Sequence, residues 1–416
     1  MSAPSPARRR DLRLALVLVL AAAAFRLPRL GFPAEEIFDE VYHAKTALQY
    51  LKGEPPTEWV HPPTAKLLIA AGVWRFGYHA WAWRLMPALA GIALAPVFFL
   101  LARRVLPTER AALLASALLL ADGVYLVQSR TAMTNIFAVL FQVAAVLLIL
   151  EAALRERLHA GWMVAVGISL GLALSTRWTS LWAAAFLGGV LLAVRGRRLF
   201  ARRELALTLL AFAVLPVAVY VLSYVPWMRQ GHSLADLWPH QVAIWRYHAD
   251  LRATHPYFSR WYTWPWLYRP TWYYFHQDTC FARGIVALGN PALWWVSVPA
   301  SAWALAAGLR GRDPRRVFAG AGFFALYLPW GISPRTLNYS HYLFEAIPYA
   351  CLTLGLVLDR AWDGRWRAWT RGYVLLVLLM FLFFLPFLVA LPVPLDWYYH
   401  DLRNGVRPWT WFPTWV

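Results

Sequence analysis

The 416-residue chain has few charged residues and almost no lysine. Asp, Glu, Lys and Arg make up 15% of the sequence and hydrophobic residues 60%, whereas soluble domains have about 25% charged and about 45–50% apolar residues. Lysine occurs only as Lys45, Lys52 and Lys66, so arginine supplies the rest of the 40 basic side chains. These proportions exclude an ordinary soluble globular protein, and equally a disordered or fibrous one.

Several chemical signatures are also missing. The two cysteines, Cys280 and Cys351, cannot build a disulfide framework. The sequence has no phosphate-binding glycine loop, no histidine pair four residues apart and no GxSxG nucleophile elbow. Soluble nucleotide-sugar chemistry and serine hydrolysis therefore lose support. The net charge of +19 does not indicate a nucleic-acid partner, because the basic residues lie in small clusters between apolar runs.

What the sequence has in excess is tryptophan and long apolar segments. Its 25 tryptophans are typical of a protein with many membrane–water interfaces, where Trp and Tyr concentrate. A membrane span needs about 20 mostly apolar residues. The segments that meet this criterion are 12–30, 80–102, 109–128, 132–153, 161–177, 179–195, 204–226, 291–309, 316–333, 340–358 and 372–393. The sequence therefore predicts an all-α polytopic membrane protein with about eleven transmembrane helices.

The arginines predict the orientation of these spans. Basic residues are enriched in short cytoplasmic loops, and 22 arginines fall in the alternate loops that are cytoplasmic if the N-terminus is inside. Residues 31–79 and 227–290 are then long external loops. The chain divides into an N-terminal catalytic transmembrane module (1–226) that includes the first external loop, the second external loop, and a C-terminal transmembrane module (291–416).

The first external loop contains two segments with helical periodicity. Val41, Ala44, Leu48 and Leu51 recur at helical spacing, and the stretch HPPTAKLLIAAGVW places prolines near a first turn, where a missing N–H costs nothing. We expect both to be amphipathic helices on the membrane surface. The acidic pair Asp39-Glu40 begins the first helix. It either complements the helix dipole or supplies a general base at the bilayer surface.

Basic and polar side chains gather on the external face. Arg84, Arg130 and Arg177 lie near the outer ends of predicted spans, against the general trend. They either snorkel to the interface or bind phosphate, for which the planar guanidinium is well suited. His61 either caps a helix or binds an anionic head group, and Lys66 either snorkels or does the same. Arg335, Tyr339 and His341 belong to the same face.

At these positions the chain resembles the protein O-mannosyltransferase family, membrane glycosyltransferases of the GT-C class, and in particular its bacterial branch. The matching motifs, in order, are Arg26, FDEVYHAKTALQYL, VHPPTAKLLIA, WRLMPALAG, DGVYLVQSRTAMTNIF, STRWT, YHADLRATHPYFSRWYTWP with RPTWYYF, ALGNP, YLPW, Arg335 and NYSHYLFEAIPY. One departure concerns Asn135, which stands where the family often has aspartate. A second acidic role at that position is therefore in doubt.

The resemblance implies an activity and a location. Mannose would move, with inversion, from a polyprenyl-phosphate carrier to Ser or Thr hydroxyls of extracytoplasmic proteins, at the outer face of a bacterial plasma membrane. It implies no soluble cofactor. Asp39 would be the base and Glu40 would order the loop. Arg26, Arg84, Arg177 and Arg335 would bind the donor phosphate.

Three alternatives stay open from the sequence. The first is a lipid-linked sugar transferase with another sugar or with a lipid or glycan acceptor. The second is a transporter of lipid-linked sugars, which would place polar groups through the full depth of the membrane rather than on one face. The third, a metal-dependent variant, would use Asp39, Glu40 and the donor phosphate to hold Mg²⁺.

Overall fold

The computed structural model describes residues 6–399 and 408–415. Most of these residues are helical. The N-terminal helices are α1 Pro6–Arg26, α2 Glu40–Lys52, α3 Thr64–Phe76, α4 Ala80–Val105, α5 Glu109–Leu120, α6 Gly123–Gln128, α7 Asn135–Ala153, α8 Ala160–Leu174 and α9 Ser180–Arg195. They are followed by α10 Arg202–Leu209, α11 Leu215–Ser223, α12 Val225–Met228, α13 Leu237–Asp250, α14 Pro291–Gly311, α15 Pro314–Tyr327, α16 Ile347–Ala361, α17 Arg367–Phe384 and α18 Leu395–Tyr398.

Each of the eleven predicted spans contains a helix, which confirms a polytopic helical protein. Within the described part of the chain, six helical segments are long and apolar enough to cross a membrane. They are Ala80–Val105, Asn135–Ala153, Ser180–Phe200, Arg202–Ser223, Pro291–Gly311 and Arg367–Phe387. Others, such as α8, are apolar but shorter. The number of eleven spans stays a prediction.

The prediction of an all-α chain is wrong in the second external loop. Strands β1 Thr271–Gln277 and β2 Phe281–Ala287 form an antiparallel hairpin, and β3 Val393–Pro394 pairs with β2. The aromatic residues of β1 favour a strand, and Asp278 closes the turn by accepting hydrogen bonds from the amides of Cys280 and Phe281. The dense aromatic stretch is thus partly a small sheet.

The first external loop forms helices, α2 and α3, in the two segments with helical periodicity, and their position on the membrane surface stays a prediction. Glu40, His43, Ala44 and Ala47 are buried along α2, and their spacing places them on one helical face. The helix ends at Gly53, whose φ of 72° is in the left-handed region that glycine adopts readily. The buried face of α2 therefore packs on the protein, and Asp39 lies at the start of that face.

The two predicted external loops contact each other. The side-chain amide of Gln230 donates to the Glu54 carbonyl at 2.8 Å, and Nε2 of His248 donates to the Val60 carbonyl at the same distance. The C-terminal Trp415 joins this face, since the indole of Trp272 donates to its carbonyl at 2.6 Å. One face of the helical bundle thus collects both long loops, and the polar residues predicted for the site lie there.

Candidate active site

Glu40 is wholly buried and has partners on both carboxylate oxygens. Arg84 donates from Nε to Oε1 at 2.8 Å and from Nη2 to Oε2 at 2.6 Å. The backbone amides of Ala132 and Ile37 donate to the same oxygens at 2.9 and 3.1 Å. Four donors to one carboxylate form a charge-assisted network. Glu40 therefore ties the first external loop to α4 and to the segment before α7.

Arg84 also faces inward. Besides Glu40, its N–H groups donate to three backbone carbonyls, that of Leu30 at the end of the first predicted span and those of Pro33 and Glu35 in the first external loop. All five guanidinium N–H groups thus have partners within the protein, which leaves none for a phosphate. This geometry assigns Arg84 to holding the loop, rather than to the phosphate role predicted from the sequence.

Asp39 differs from its neighbour Glu40. It precedes α2 but makes no capping hydrogen bond to that helix. Its half-buried carboxylate makes no hydrogen bond to any described residue and lines a cavity of about 600 Å³. Burial raises the pKa of Asp39 above its ordinary value, while the nearby His43 acts to lower it. Asp39 is therefore a carboxylate that is open to a ligand in this cavity.

A second cavity of about 290 Å³ adjoins the first. Its walls are mostly apolar side chains, among them Trp178, Leu181, Trp182, Pro329, Trp330 and Ile332. Five residues line both cavities: Val60, His61, Arg177, Arg335 and Tyr342. An apolar cavity therefore meets a more polar one at two arginines and a histidine.

Arg177 is held at this junction by several groups. Nη1 donates to the side-chain oxygen of Asn135 at 2.6 Å, and the guanidinium lies 4.9 Å from the ring centroid of Tyr342. The buried Glu345 carboxylate lies 3.6 Å from Nε. Nη2 has no partner among the described residues. Asn135, the position at which the sequence departs from the family pattern, thus orients Arg177 by accepting this hydrogen bond. Because the Asn135 amide is neutral, it does not neutralise the charge of Arg177.

Arg335 reaches the junction from the opposite side. Nε donates to the Leu337 carbonyl at 2.8 Å, and Nη1 lies 2.5 Å from Nδ1 of His248. Because Nε2 of His248 donates to the Val60 carbonyl, Nδ1 is the acceptor for Arg335. Burial and the charge of Arg335 lower the pKa of His248 to about 4, so the ring is neutral at pH 7. Nη2 of Arg335 has no partner in the described part of the chain.

His61 belongs to a buried polar cluster with Glu58 and Lys66. Its Nδ1 lies 2.6 Å from Oε1 of Glu58, and Lys66 binds the other carboxylate oxygen. Burial alone would raise the pKa of Glu58, but Lys66 and His61 outweigh it and hold the pKa well below its usual range. Burial lowers the pKa of His61 to about 3, against the opposing effect of Glu58. His61 is therefore neutral and Glu58 ionised at pH 7.

The other predicted residues divide into two groups. Tyr339 and His341 line the larger cavity with their rings stacked, 5.5 Å between centroids. Arg26 and Arg130 line neither cavity. The guanidinium of Arg26 packs 3.9 Å from the ring centroid of Tyr125, and Arg130 donates to the carbonyls of Phe25 and Arg26. Lys66 is completely buried behind His61.

Two sets of side chains contain groups that can bind a metal ion. The Asp39-Glu40 pair of the metal-dependent alternative does not fit Mg²⁺, because both oxygens of Glu40 already bind Arg84 and backbone amides. A second group consists of His43, Glu58 and His61, whose possible ligand atoms lie within 4.8 Å of one another. Lys66 already neutralises Glu58 there, which disfavours a further cation.

The chain matches known protein families over most of its length. Residues 16–80 and 79–229 match the family model described as dolichyl-phosphate-mannose-protein mannosyltransferase. Residues 233–415 match the C-terminal four-transmembrane region of protein-O-mannosyltransferase. The chain belongs to the protein O-mannosyltransferase family.

Similar members of this mannosyltransferase family occur in bacteria. The polyprenol-phosphate-mannose–protein mannosyltransferase of Mycolicibacterium smegmatis is 30% identical over 91% of this chain and 89% of that protein. The protein of the same name from Corynebacterium glutamicum is also 30% identical, over 86% of this chain and 81% of that protein. The likeness therefore extends over most of both chains.

Solved structures share the fold of this mannosyltransferase. The Saccharomyces cerevisiae Pmt1-Pmt2 complex bound to the sugar donor superposes with a TM-score of 0.83 at 14% identity, covering 98% of this chain and 93% of that chain. ArnT of Cupriavidus metallidurans bound to undecaprenyl phosphate gives 0.57 at 19% identity, over 92% and 71% of the two chains. At these identities the likeness concerns the fold.

Sequence reasoning missed several residues that line these cavities or contact their arginines. Glu58 and His43 were not predicted because each is a single polar residue close to a stronger signal, His61 in the case of Glu58 and the Asp39-Glu40 pair in the case of His43. Glu58 lies three residues before His61, and that short spacing was the available signal. His248 and Glu345 could not be found from spacing, since each meets its arginine only in the folded chain, 87 residues apart in the case of His248 and Arg335.

Proposed function

We propose that this enzyme transfers mannose from a polyprenyl-phosphate carrier to Ser or Thr hydroxyls of extracytoplasmic proteins. The observation that supports it is the junction of the two cavities. An apolar cavity suited to a lipid chain ends at Arg177 and Arg335, and the polar cavity beyond holds the open carboxylate of Asp39. No soluble cofactor enters this proposal.

The lipid chain, the phosphate and the sugar of the donor each have a suitable environment in the two cavities. Apolar walls suit a polyprenyl chain, and the free Nη2 groups of Arg177 and Arg335 suit the phosphate, since guanidinium donors bind phosphate oxygens well. The sugar would then lie between these arginines and Asp39. The larger cavity opens to the acceptor polypeptide.

The reaction follows from this placement. The acceptor hydroxyl oxygen attacks the anomeric carbon from the side of Asp39, which takes the hydroxyl proton. The bond between that carbon and the phosphate oxygen breaks, and its electron pair leaves with polyprenyl phosphate. The two arginines stabilise the charge that the phosphate gains, which is the main effect expected of pre-placed donors. Attack opposite to the leaving group inverts the anomeric centre.

Transfer of labelled sugar tests the proposed function. The purified chain should move label from polyprenyl-phosphate mannose to a Ser- or Thr-containing peptide and should release polyprenyl phosphate. Matched carriers bearing glucose or arabinose, and a lipid acceptor in place of the peptide, test the rival transferases. Movement of the intact donor across vesicles without any transfer would instead support a transporter.

Arg177→Lys tests the phosphate site. The variant keeps the charge but loses the planar fork, so we expect KM for the donor to rise about tenfold, the usual effect of losing one good charge-assisted hydrogen bond. Steady-state kinetics with varied donor measure it. Arg252→Lys is the matched control, because Arg252 is exposed and, within the part of the chain that the structure describes, bonds only to nearby carbonyls. Unchanged donor KM in Arg177→Lys would remove this arginine from the site.

Labelling of cysteines tests the orientation, with the two long loops outside. The native Cys280 is exposed in the β1–β2 turn, while Cys351 is buried. An impermeant maleimide should label Cys280 in intact cells, and also Glu54→Cys in a Cys280→Ser background. Arg198→Cys, on the opposite face by the arginine pattern, should react only after permeabilisation. The reverse result would place the active site in the cytoplasm.

A further inference from the structure

His61 stands where the two cavities meet, and its contacts determine which ring nitrogen carries the proton. Nδ1 lies 2.6 Å from the ionised carboxylate of Glu58. Since a carboxylate only accepts hydrogen bonds, Nδ1 carries the proton and Nε2 carries a lone pair. Nε2 has no hydrogen-bond partner among residues 6–399 and 408–415. The ring therefore presents an acceptor, not a donor, to a ligand.

Lys66 holds this arrangement from behind. Its fully buried ammonium bonds the second carboxylate oxygen of Glu58 and donates to the backbone carbonyl of His61 at 2.7 Å. Glu58 is 7% exposed, whereas the His61 side chain is 24% exposed. Only His61 of the three thus reaches both cavities, and the charged pair behind it fixes its tautomer and position.

A lone pair selects the chemistry of the ligand. The phosphate of a polyprenyl-phosphate sugar is an anion whose oxygens only accept hydrogen bonds, so a neutral imidazole lone pair repels it. A hydroxyl group donates and fits. We propose that Nε2 of His61 is a hydroxyl-binding site that accepts a hydrogen bond from the transferred sugar or from the acceptor side chain. This inference deepens the proposed function and depends on it, and it replaces phosphate binding as the role of His61.

A metal ion is the competing occupant of this cluster. His43, Glu58 and His61 could converge on one ion, and imidazole and carboxylate ligands suit zinc. The surroundings favour the hydroxyl instead. Lys66 already compensates the charge of Glu58, and Arg177 and Arg335 add positive charge along the same cavity. The negative charge of Glu58 is therefore already compensated and is not available to balance the charge of a divalent metal ion.

Two substitutions separate the ring nitrogens. In His61→Asn the amide nitrogen occupies the place of Nδ1 and can still donate to Glu58, but the acceptor at Nε2 is lost. In His61→Gln the longer side chain places its amide oxygen where Nε2 was, so the acceptor is kept and the bond to Glu58 is lost. Both are made in the full chain, and thermal unfolding in detergent confirms that each is folded.

The kinetics use donors that lack single hydroxyls. We expect kcat/KM of His61→Asn to fall about tenfold with the normal donor, as for loss of one hydrogen bond, and His61→Gln to keep more activity. If the ligand is a sugar hydroxyl, one deoxy-mannose donor should lower the rate of the wild type but not that of His61→Asn. If it is the acceptor hydroxyl, every deoxy donor should lower the transfer rates of both enzymes by the same factor. KM for the peptide should then rise in His61→Asn.

A binding measurement separates the hydroxyl from the phosphate. Polyprenyl phosphate without sugar should bind to His61→Asn as tightly as to the wild type. Weaker binding of this sugar-free lipid would overturn the proposal, and so would normal kinetics of His61→Asn with every donor and peptide. Wild-type activity lost to a chelator and restored by Zn²⁺, with no such response in His61→Asn, would assign the cluster to a metal. In each case the untreated wild type still transfers mannose, so these failures differ from failure of the proposed function.

Discussion

Asp39→Asn should lower the turnover number by about 10²-fold or more, the usual contribution of a general base. The amide keeps the shape of the side chain but cannot take the acceptor proton. Since the Asp39 carboxylate makes no hydrogen bond to the described residues and no capping bond to α2, the substitution removes no hydrogen bond among them. Donor binding should persist, because the phosphate is assigned to Arg177 and Arg335. Single-turnover transfer and donor binding, measured separately, test both statements.

Asp250→Asn is the matched control for this substitution. Asp250 ends α13 on the same face, is exposed, and lines neither cavity at the junction. Its variant should transfer sugar at the wild-type rate. Near wild-type transfer by Asp39→Asn would exclude Asp39 as the base. Loss of donor binding alone would move Asp39 to the architecture of the binding site.

The pH dependence of turnover follows from the environment of Asp39. The base must be ionised to accept a proton, and burial raises its pKa above the ordinary value, which is about 3.9 for aspartate. Turnover should therefore fall on the acid side at a pH above that value, and it should be flat where Asp39 is fully ionised. In Asp39→Asn this acid limb should disappear from the residual activity.

Much of the fold could be predicted from the sequence, because it follows from local chemistry. Apolar length predicted where the helices lie, and the spacing of Val41, Ala44, Leu48 and Leu51 predicted α2. The segment 109–128 was predicted as one span, but the structure divides it into two helices, α5 and α6. It breaks at Asp122, whose carboxylate accepts a hydrogen bond from the Tyr125 amide at 2.8 Å and begins α6. An acidic residue within an apolar run was the signal for this break.

The sequence could not predict which arginines are paired within the protein and which keep free donors. Arg84 and Arg177 look alike in sequence, each near the outer end of an apolar segment. They differ in the carboxylates they meet, since Glu40 uses two donors of Arg84, whereas Glu345 stays 3.6 Å from Arg177. Both pairings join residues far apart in the chain. Only the fold tells which arginine keeps free donors for a ligand.

Glu40→Gln should destabilise the protein strongly, in contrast to Asp39→Asn. Removing the carboxylate leaves the buried guanidinium of Arg84 without its counter-charge. Breaking one side of a buried ion pair typically costs about 3–5 kcal/mol. We expect a large drop in the midpoint of thermal unfolding in detergent, with activity lost in parallel. Glu54→Gln is the control, because the contact of Glu54 with Lys52 is exposed and 3.9 Å long, and such pairs contribute little.

The double variant Glu40→Gln with Arg84→Met decides whether the pair acts as a unit. Each single substitution leaves one buried charge without its partner, whereas the double variant leaves no unpaired charge of this ion pair. The amide oxygen of the introduced glutamine can still accept a hydrogen bond from the Ala132 amide. The loss of thermal stability should therefore be smaller than the sum of the two single losses. Additive losses would mean that Arg84 and Glu40 act separately. A variant of Arg84 that is fully stable yet has a raised donor KM would return this arginine to the phosphate site and leave Glu40 to order the loop alone.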